Sequence, residues 1–248
     1  MRKLTLNQSL RGRWLLLLFA LLLLPSGLQA EDYGITIAGV AVTDANAANV
    51  MGDGTVSFDA ENNILTLTGA TINGEILSTL ESLTINLEGA SQLTVVDDQN
   101  SAIQNDADMA DLSFTGSGSL AISASGGVIY GFTSLDFGSF NLASQAAGVH
   151  YDDSSMRSYD GYLVSDLTIT TDEVYPIWIY APSEAYSHTQ ITASNKANVL
   201  LAGETATVSL SGSTITLNGA NFNLGEQSAI VVGKGMSSLT VHLLSTNK

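Results

Sequence analysis

Four short blocks recur in the same order in the two halves of this chain, and this repetition limits its architecture more than any other feature. Tyr33-Gly-Ile-Thr-Ile-Ala38 returns as Tyr175-Pro-Ile-Trp-Ile-Tyr180, and Val42-Thr-Asp-Ala-Asn-Ala-Ala-Asn-Val50 as Ile191-Thr-Ala-Ser-Asn-Lys-Ala-Asn-Val199. Leu65-Thr-Leu-Thr-Gly-Ala-Thr-Ile72 returns as Ile215-Thr-Leu-Asn-Gly-Ala-Asn-Phe222, and Ser82-Leu-Thr-Ile-Asn-Leu87 as Ser238-Leu-Thr-Val-His-Leu243. Self-similarity of this kind marks stacked repeat architectures, in which each unit buries its apolar face against the next. The expected organisation is a first module over residues 31–174 and a second, incomplete copy over 175–248 that continues the same solenoid.

Inside the modules a shorter period appears. Leu83-Thr-Ile-Asn-Leu87, Leu93-Thr-Val-Val96, Leu112-Ser-Phe114, Leu120-Ala-Ile122, Leu135-Asp-Phe137, Phe140-Asn-Leu142 and Leu167-Thr-Ile169 alternate apolar and polar residues, as strands with one buried face do. Turn residues such as Gly116-Ser-Gly118, Gly126-Gly127 and Gly138-Ser139 separate them. Leu112 and Leu135 lie 23 residues apart, and Val128-Ile-Tyr130 and Val149-His-Tyr151 lie 21 apart. Strands of three to five residues at this interval predict an all-β right-handed parallel β-helix, with inward Leu, Ile, Val and Phe stacked in ladders. An antiparallel β-sandwich is the competing arrangement, because short turn-separated strands fit it too. No sustained helical stripe competes with either.

The chain has no cysteine, so neither disulfides nor an N-terminal lipidated cysteine is available, and a core alone must stabilise it. The N-terminus carries Arg2, Lys3, Arg11 and Arg13, then an apolar run from Trp14 to Leu24, then Pro25-Ser-Gly27 and a small residue at Ala30. This layout predicts a secretory signal peptide over residues 1–30. The run is well short of the ~20 apolar residues that span a bilayer, so a secreted, periplasmic or cell-surface protein without a transmembrane segment is expected. Cleavage would remove four of the eight basic residues and none of the 24 acids. The mature chain would then carry four cations against 24 acids, a formal charge of −20. Such a surface repels phosphate backbones, which argues against nucleic acid as a partner.

Ile37-Ala-Gly-Val-Ala-Val-Thr43, Asn49-Val-Met-Gly-Asp-Gly-Thr55 and Leu65-Thr-Leu67 together resemble a module of secreted proteins from gut and oral Bacteroidetes and some Firmicutes, the carbohydrate-binding domain-containing type. Gly116-Ser-Gly-Ser-Leu120 and Gly127-Val-Ile-Tyr130 resemble its β-helical part. The resemblance covers most of residues 33–248 and implies a polysaccharide or glycan partner. Its motifs are turns and strands, and it carries no catalytic residue over.

The residues themselves offer no catalytic constellation. His150, His188 and His242 lack an acid and a nucleophile at telling spacing, and no Gly-x-Ser-x-Gly elbow exists. The expectation is a non-catalytic module for glycan binding, adhesion or scaffolding. The alternative is a β-helix polysaccharide lyase or glycoside hydrolase, which would need paired carboxylates or a basic residue. Arg157 is the only arginine beyond residue 30. Asp97, Asp98, Asp106, Asp108, Asp152 and Asp153 are the acids that could hold Ca²⁺, the one cofactor considered, since that ion takes 6–8 oxygens; a solvated acidic loop explains the same residues. Tyr130 and Tyr151 fall at matching places in successive rungs, and Trp178 and Tyr180 share one face of Ile177-Trp-Ile-Tyr180. With the isoleucines inward, these four aromatics would form an outward platform on which sugar rings stack. The competing role for these rings is to cap the core or pack the junction between modules.

Overall fold

The computed structural model describes residues 30–96, 100–107, 109–146, 149–152, 154–158, 161–180, 188–197, 199–200, 207–218, 230–232 and 236–244. They form a β-solenoid of about 5 turns with mostly parallel bridges and no helix. Among the described residues no helix is long and apolar enough to cross a membrane.

The first described strands are β1 (Asp32–Ile37), β2 (Val40–Thr43) and β3 (Val56–Asp59). Three coils then follow, each contributing one strand to each of three sheets. They are β4 (Ile64–Thr68), β5 (Thr71–Asn73) and β6 (Ile76–Ser78); β7 (Ser82–Glu88), β8 (Ala90–Val95) and β9 (Ile103–Asn105); and β10 (Asp111–Gly116), β11 (Ser119–Ala124) and β12 (Ile129–Tyr130). A fourth coil supplies β13 (Ser134–Asp136), β14 (Asn141–Ala143) and β15 (His150–Asp152). β4, β7, β10 and β13 pair in parallel in that order, and so do β5, β8 and β11, and β6, β9 and β12.

Register follows from the apolar–polar alternation, because a slip of one residue would turn every core side chain outward. Leu65 lies opposite Ile85, and Ile85 opposite Phe114. Ile72, Leu93 and Ile122 form a second ladder, and Ile76, Ile103 and Ile129 a third. All nine are buried in one continuous core. On the outer side of the same strands Thr84 and Ser113 share a hydroxyl hydrogen bond of 2.9 Å. The corner between the first two sheets is tight: a Cβ at Gly118 would stand 2.2 Å from the Gly89 carbonyl oxygen, so only glycine fits.

The first end of the solenoid is closed by antiparallel strands. β3 pairs with β4, and β1 covers β6 while carrying β2 on its far side. Capping of this kind protects ladder ends that would otherwise recruit other strands.

Two strands depart from the parallel stack. β16 (Ser155–Arg157) and β17 (Asp166–Thr170) run back along the solenoid. β16 lies between β12 and β15, and β17 between β11 and β14, antiparallel to both neighbours. Leu167-Thr-Ile169 is therefore a reversed insertion, not a further rung in the same direction. Leu167 meets Ile122, and Ile169 meets Leu120 on one side and Leu142 on the other. Alternation with period two reads the same in both directions, so a reversed strand preserves the inward ladder.

The repeated blocks take equivalent pairings. In the second half β18 (Val174–Tyr180) pairs antiparallel with β19 (His188–Thr192), as β1 does with β2. β20 (Val199–Leu200) pairs antiparallel with β21 (Thr207–Ser211), and β21 with β22 (Thr214–Asn218), the latter as β3 does with β4. β18 also pairs with β23 (Ile230–Val232), and β22 runs parallel to β24 (Thr240–Leu243) as β4 does to β7. The turn clasps match as well. Asn46 Oδ1 accepts from the Thr43 N–H at 2.7 Å and its Nδ2 donates to Ala41 O at 2.9 Å; Asn195 does the same with Thr192 at 2.8 Å and Gln190 at 2.9 Å. Ile177, Ile179, Ile191, Val199, Val208, Leu210, Ile215 and Leu217 form a core of their own. Among the described strands, those of the second copy build separate sheets and do not join the ladders of the first.

Candidate functional site

Where the reversed strand β17 faces β19 of the second copy, a polar cleft of about 340 Å³ opens. Period-two alternation builds both walls. In β17, Leu167 and Ile169 turn into the core, so Asp166, Thr168 and Thr170 turn toward the cleft. In β19, Ile191 is buried, which leaves Gln190 and Thr192 on the cleft side. Ser144, Gln145, Asp172 and Asn195 are also on the lining.

A chain of hydrogen bonds holds the cleft together. The Ser144 N–H donates to Gln190 Oε1 at 3.1 Å, and Gln190 Nε2 donates to Tyr175 O at 3.1 Å. Asp166 Oδ2 accepts from the Gln145 N–H at 2.7 Å and from the Ser144 hydroxyl at 3.3 Å. Burial pushes the Asp166 carboxyl above its ordinary value, against the lowering pull of those two donors. Among the described residues the lining includes hydroxyls, carboxamides and two carboxylates, and no lysine or arginine. Sequence reasoning did not find this cleft. Its only trace in the sequence is the polar alternate positions of Asp166-Leu-Thr-Ile-Thr170, which do not show what they face.

The aromatic platform does not form as expected. Ile177 and Ile179 do point into the core, but Trp178 on the opposite face is only 6% exposed. Its indole N–H donates to Ser144 O at 3.2 Å. The face opposite the isoleucines is covered by the Ser144 segment of the first module, so Trp178 packs the junction instead of facing solvent. The side chain of Tyr180 lies outside the described residues. Tyr130 is 48% exposed, whereas Tyr151 is half-buried and its hydroxyl both donates to Phe132 O and accepts from the Phe132 N–H. The strands that carry the two tyrosines are not neighbours in their sheet, because β16 lies between β12 and β15.

Of the acids considered for calcium, Asp97, Asp98, Asp108 and Asp153 lie outside the described residues. Asp106 is exposed and accepts from Gln104 Nε2 at 3.1 Å. Asp152 is exposed in β15. β12 and β16 intervene between the β9 and β15 positions, three strand spacings or roughly 14 Å, so Asp106 and Asp152 do not share an ion. Among the described residues no group of three or more histidine or acidic side chains could hold a metal. The chain matches no family model, no curated protein and no solved structure.

Proposed function

We propose that this chain is an exported, non-catalytic β-solenoid module that binds a glycan in the cleft between β17 and β19. Residues 1–30 would direct export and be removed. The cleft lining carries the reading: Thr168, Thr170 and Asp172 line an open groove beside Ser144, Asp166 and Gln190, whose side chains are held by hydrogen bonds. Hydroxyl, amide and carboxylate groups held in this way suit the hydroxyl pattern of a sugar, since few and well-placed polar groups give orientation and specificity. Among the described residues two carboxylates and no cation line the cleft, which favours uncharged sugars over uronates or sulfated chains. A glycan array probed with residues 31–248 tests the reading. Asp172→Ala and a blocking Thr168→Arg should each weaken a hit by about tenfold or more. Binding that ignores both substitutions would place the site elsewhere.

One observation favours a second reading. Asp166 and Asp172 line the same cleft, and burial holds Asp166 toward its protonated form, as a general acid requires. Release of reducing ends from polysaccharide by the purified protein, lost in Asp166→Asn, would make the chain a polysaccharide-degrading enzyme instead.

A further inference from the structure

The cleft does not end at β17. Its floor is the outer face of the sheet β14-β17-β11-β8-β5, and the register carries that face onward over three more strands. Thr168 stands opposite Ala121, Ala121 opposite Gln92, and Gln92 opposite Thr71. Beside this row, Asp166 is followed in the same way by Ser123, Thr94 and Asn73. Leu167, Ile122, Leu93 and Ile72 turn into the core, so both rows face outward. Thr71, Asn73, Gln92, Ala121 and Ser123 are exposed.

Within these five strands Asp166 is the only charged residue, in a chain with 24 acids. The sheet β13-β10-β7-β4-β3 is different, because Asp59, Glu88, Asp111 and Asp136 stand exposed on its strands. Its polar groups also bond one another, as Thr84 does Ser113 at 2.9 Å and Ser134 does Asp111 at 2.6 Å. Gln92 and Asn73 have no side-chain partner among the described residues. The strip from the cleft to β5 is therefore uncharged and carries amide groups that are free to bond a ligand. From Thr168 to Thr71 it crosses three strand spacings, roughly 14 Å.

Resting on the glycan reading of the cleft, we infer that the ligand is a linear, uncharged polysaccharide whose chain leaves the cleft and lies across β11, β8 and β5. An extended β-1,4-linked chain of neutral pyranoses fits this strip. Its sugars repeat at close to the strand spacing, so their hydroxyls come into reach of Thr168, Gln92 and Thr71 in turn. Ala121 keeps the row low where the chain leaves the cleft. A curved α-linked chain would rise off a straight row. The length of the strip accommodates roughly three sugars beyond the one held in the cleft, at one per strand spacing.

The test is isothermal titration calorimetry of the purified protein with β-1,4-linked dimers and hexamers of glucose, xylose and mannose. At least one series should bind, its hexamer about tenfold or more tighter than its dimer. Gln92→Ala should weaken that hexamer by about fivefold, the worth of one hydrogen bond, and so narrow the gap. Thr168→Arg, inside the cleft, should weaken both. The α-1,4-linked glucose hexamer should bind no better than its dimer. The melting temperature of Gln92→Ala should match the parent, because the side chain faces outward; if this variant fails to fold, the comparison of lengths decides alone. Equal binding of dimer and hexamer, or hexamer binding indifferent to Gln92→Ala, would overturn the strip and leave the cleft reading in place wherever Thr168→Arg still removes binding. Failure of all three series to bind would also overturn the strip, and the cleft reading would then stand or fall on the glycan array.

Discussion

Trp178→Ala separates a junction residue from a surface one. The indole is 6% exposed and its N–H reaches Ser144 O at 3.2 Å. A large aromatic side chain buries about 200 Å², which at ~25 cal/mol per Å² corresponds to about 5 kcal/mol as an upper figure. Truncations of buried aromatics cost about 3–5 kcal/mol, and leaving the Ser144 carbonyl without its donor adds about 1 kcal/mol. The expected loss is thus ~4 kcal/mol, against ~0.5 kcal/mol for a surface position. Trp178→Phe, which keeps most of the ring but no N–H, should lose about 1–2 kcal/mol. Urea denaturation followed by circular dichroism measures both. The parent protein offers an independent readout, because Trp178 is the only tryptophan after residue 30. Its emission should be blue-shifted and shielded from acrylamide until the junction opens. A Trp178→Ala variant within ~0.5 kcal/mol of the parent, or a parent tryptophan that is freely quenched, would refute the packed junction.

Two further outcomes follow from the same structure. Asp166 has its carboxyl raised by burial, so the native state holds the proton more tightly than the unfolded chain; its contribution is favourable at low pH and is lost as pH rises from about 4 through the folded value. Asp166→Asn should flatten that part of the stability–pH curve in equilibrium denaturation, and an unchanged curve would remove the buried carboxyl as its source. Gly118→Ala forces a Cβ to within 2.2 Å of Gly89 O, so it should destabilise by about 3 kcal/mol or more, visible as a large drop in melting temperature; a near-neutral result would show that the corner can relax.

The residues made much of this architecture legible. Alternation in Leu83-Thr-Ile-Asn-Leu87 and Leu112-Ser-Phe114 identified inward positions, and stacking those positions leaves few registers. The block repeat anticipated equivalent pairings: Thr36 opposite Ala41 and Trp178 opposite Gln190 occupy matching places in the two copies. The isoleucines of Ile177-Trp-Ile179 point inward for the same reason.

What the sequence by itself determined was therefore which face of each strand is apolar and which blocks are alike, because both are local properties of the chain. Only the tertiary structure decided direction and cover. Asp166-Leu-Thr-Ile-Thr170 has the pattern of a forward rung yet runs backward between β11 and β14, since a period of two has no polarity along the chain. Trp178 sits on a face that the pattern marks as outer, and it is buried because Ser144, 34 residues earlier, lies over it. The cleft between β17 and β19 arises in the same way. A side chain's face is written in its neighbours, but what lies against that face depends on how distant segments pack.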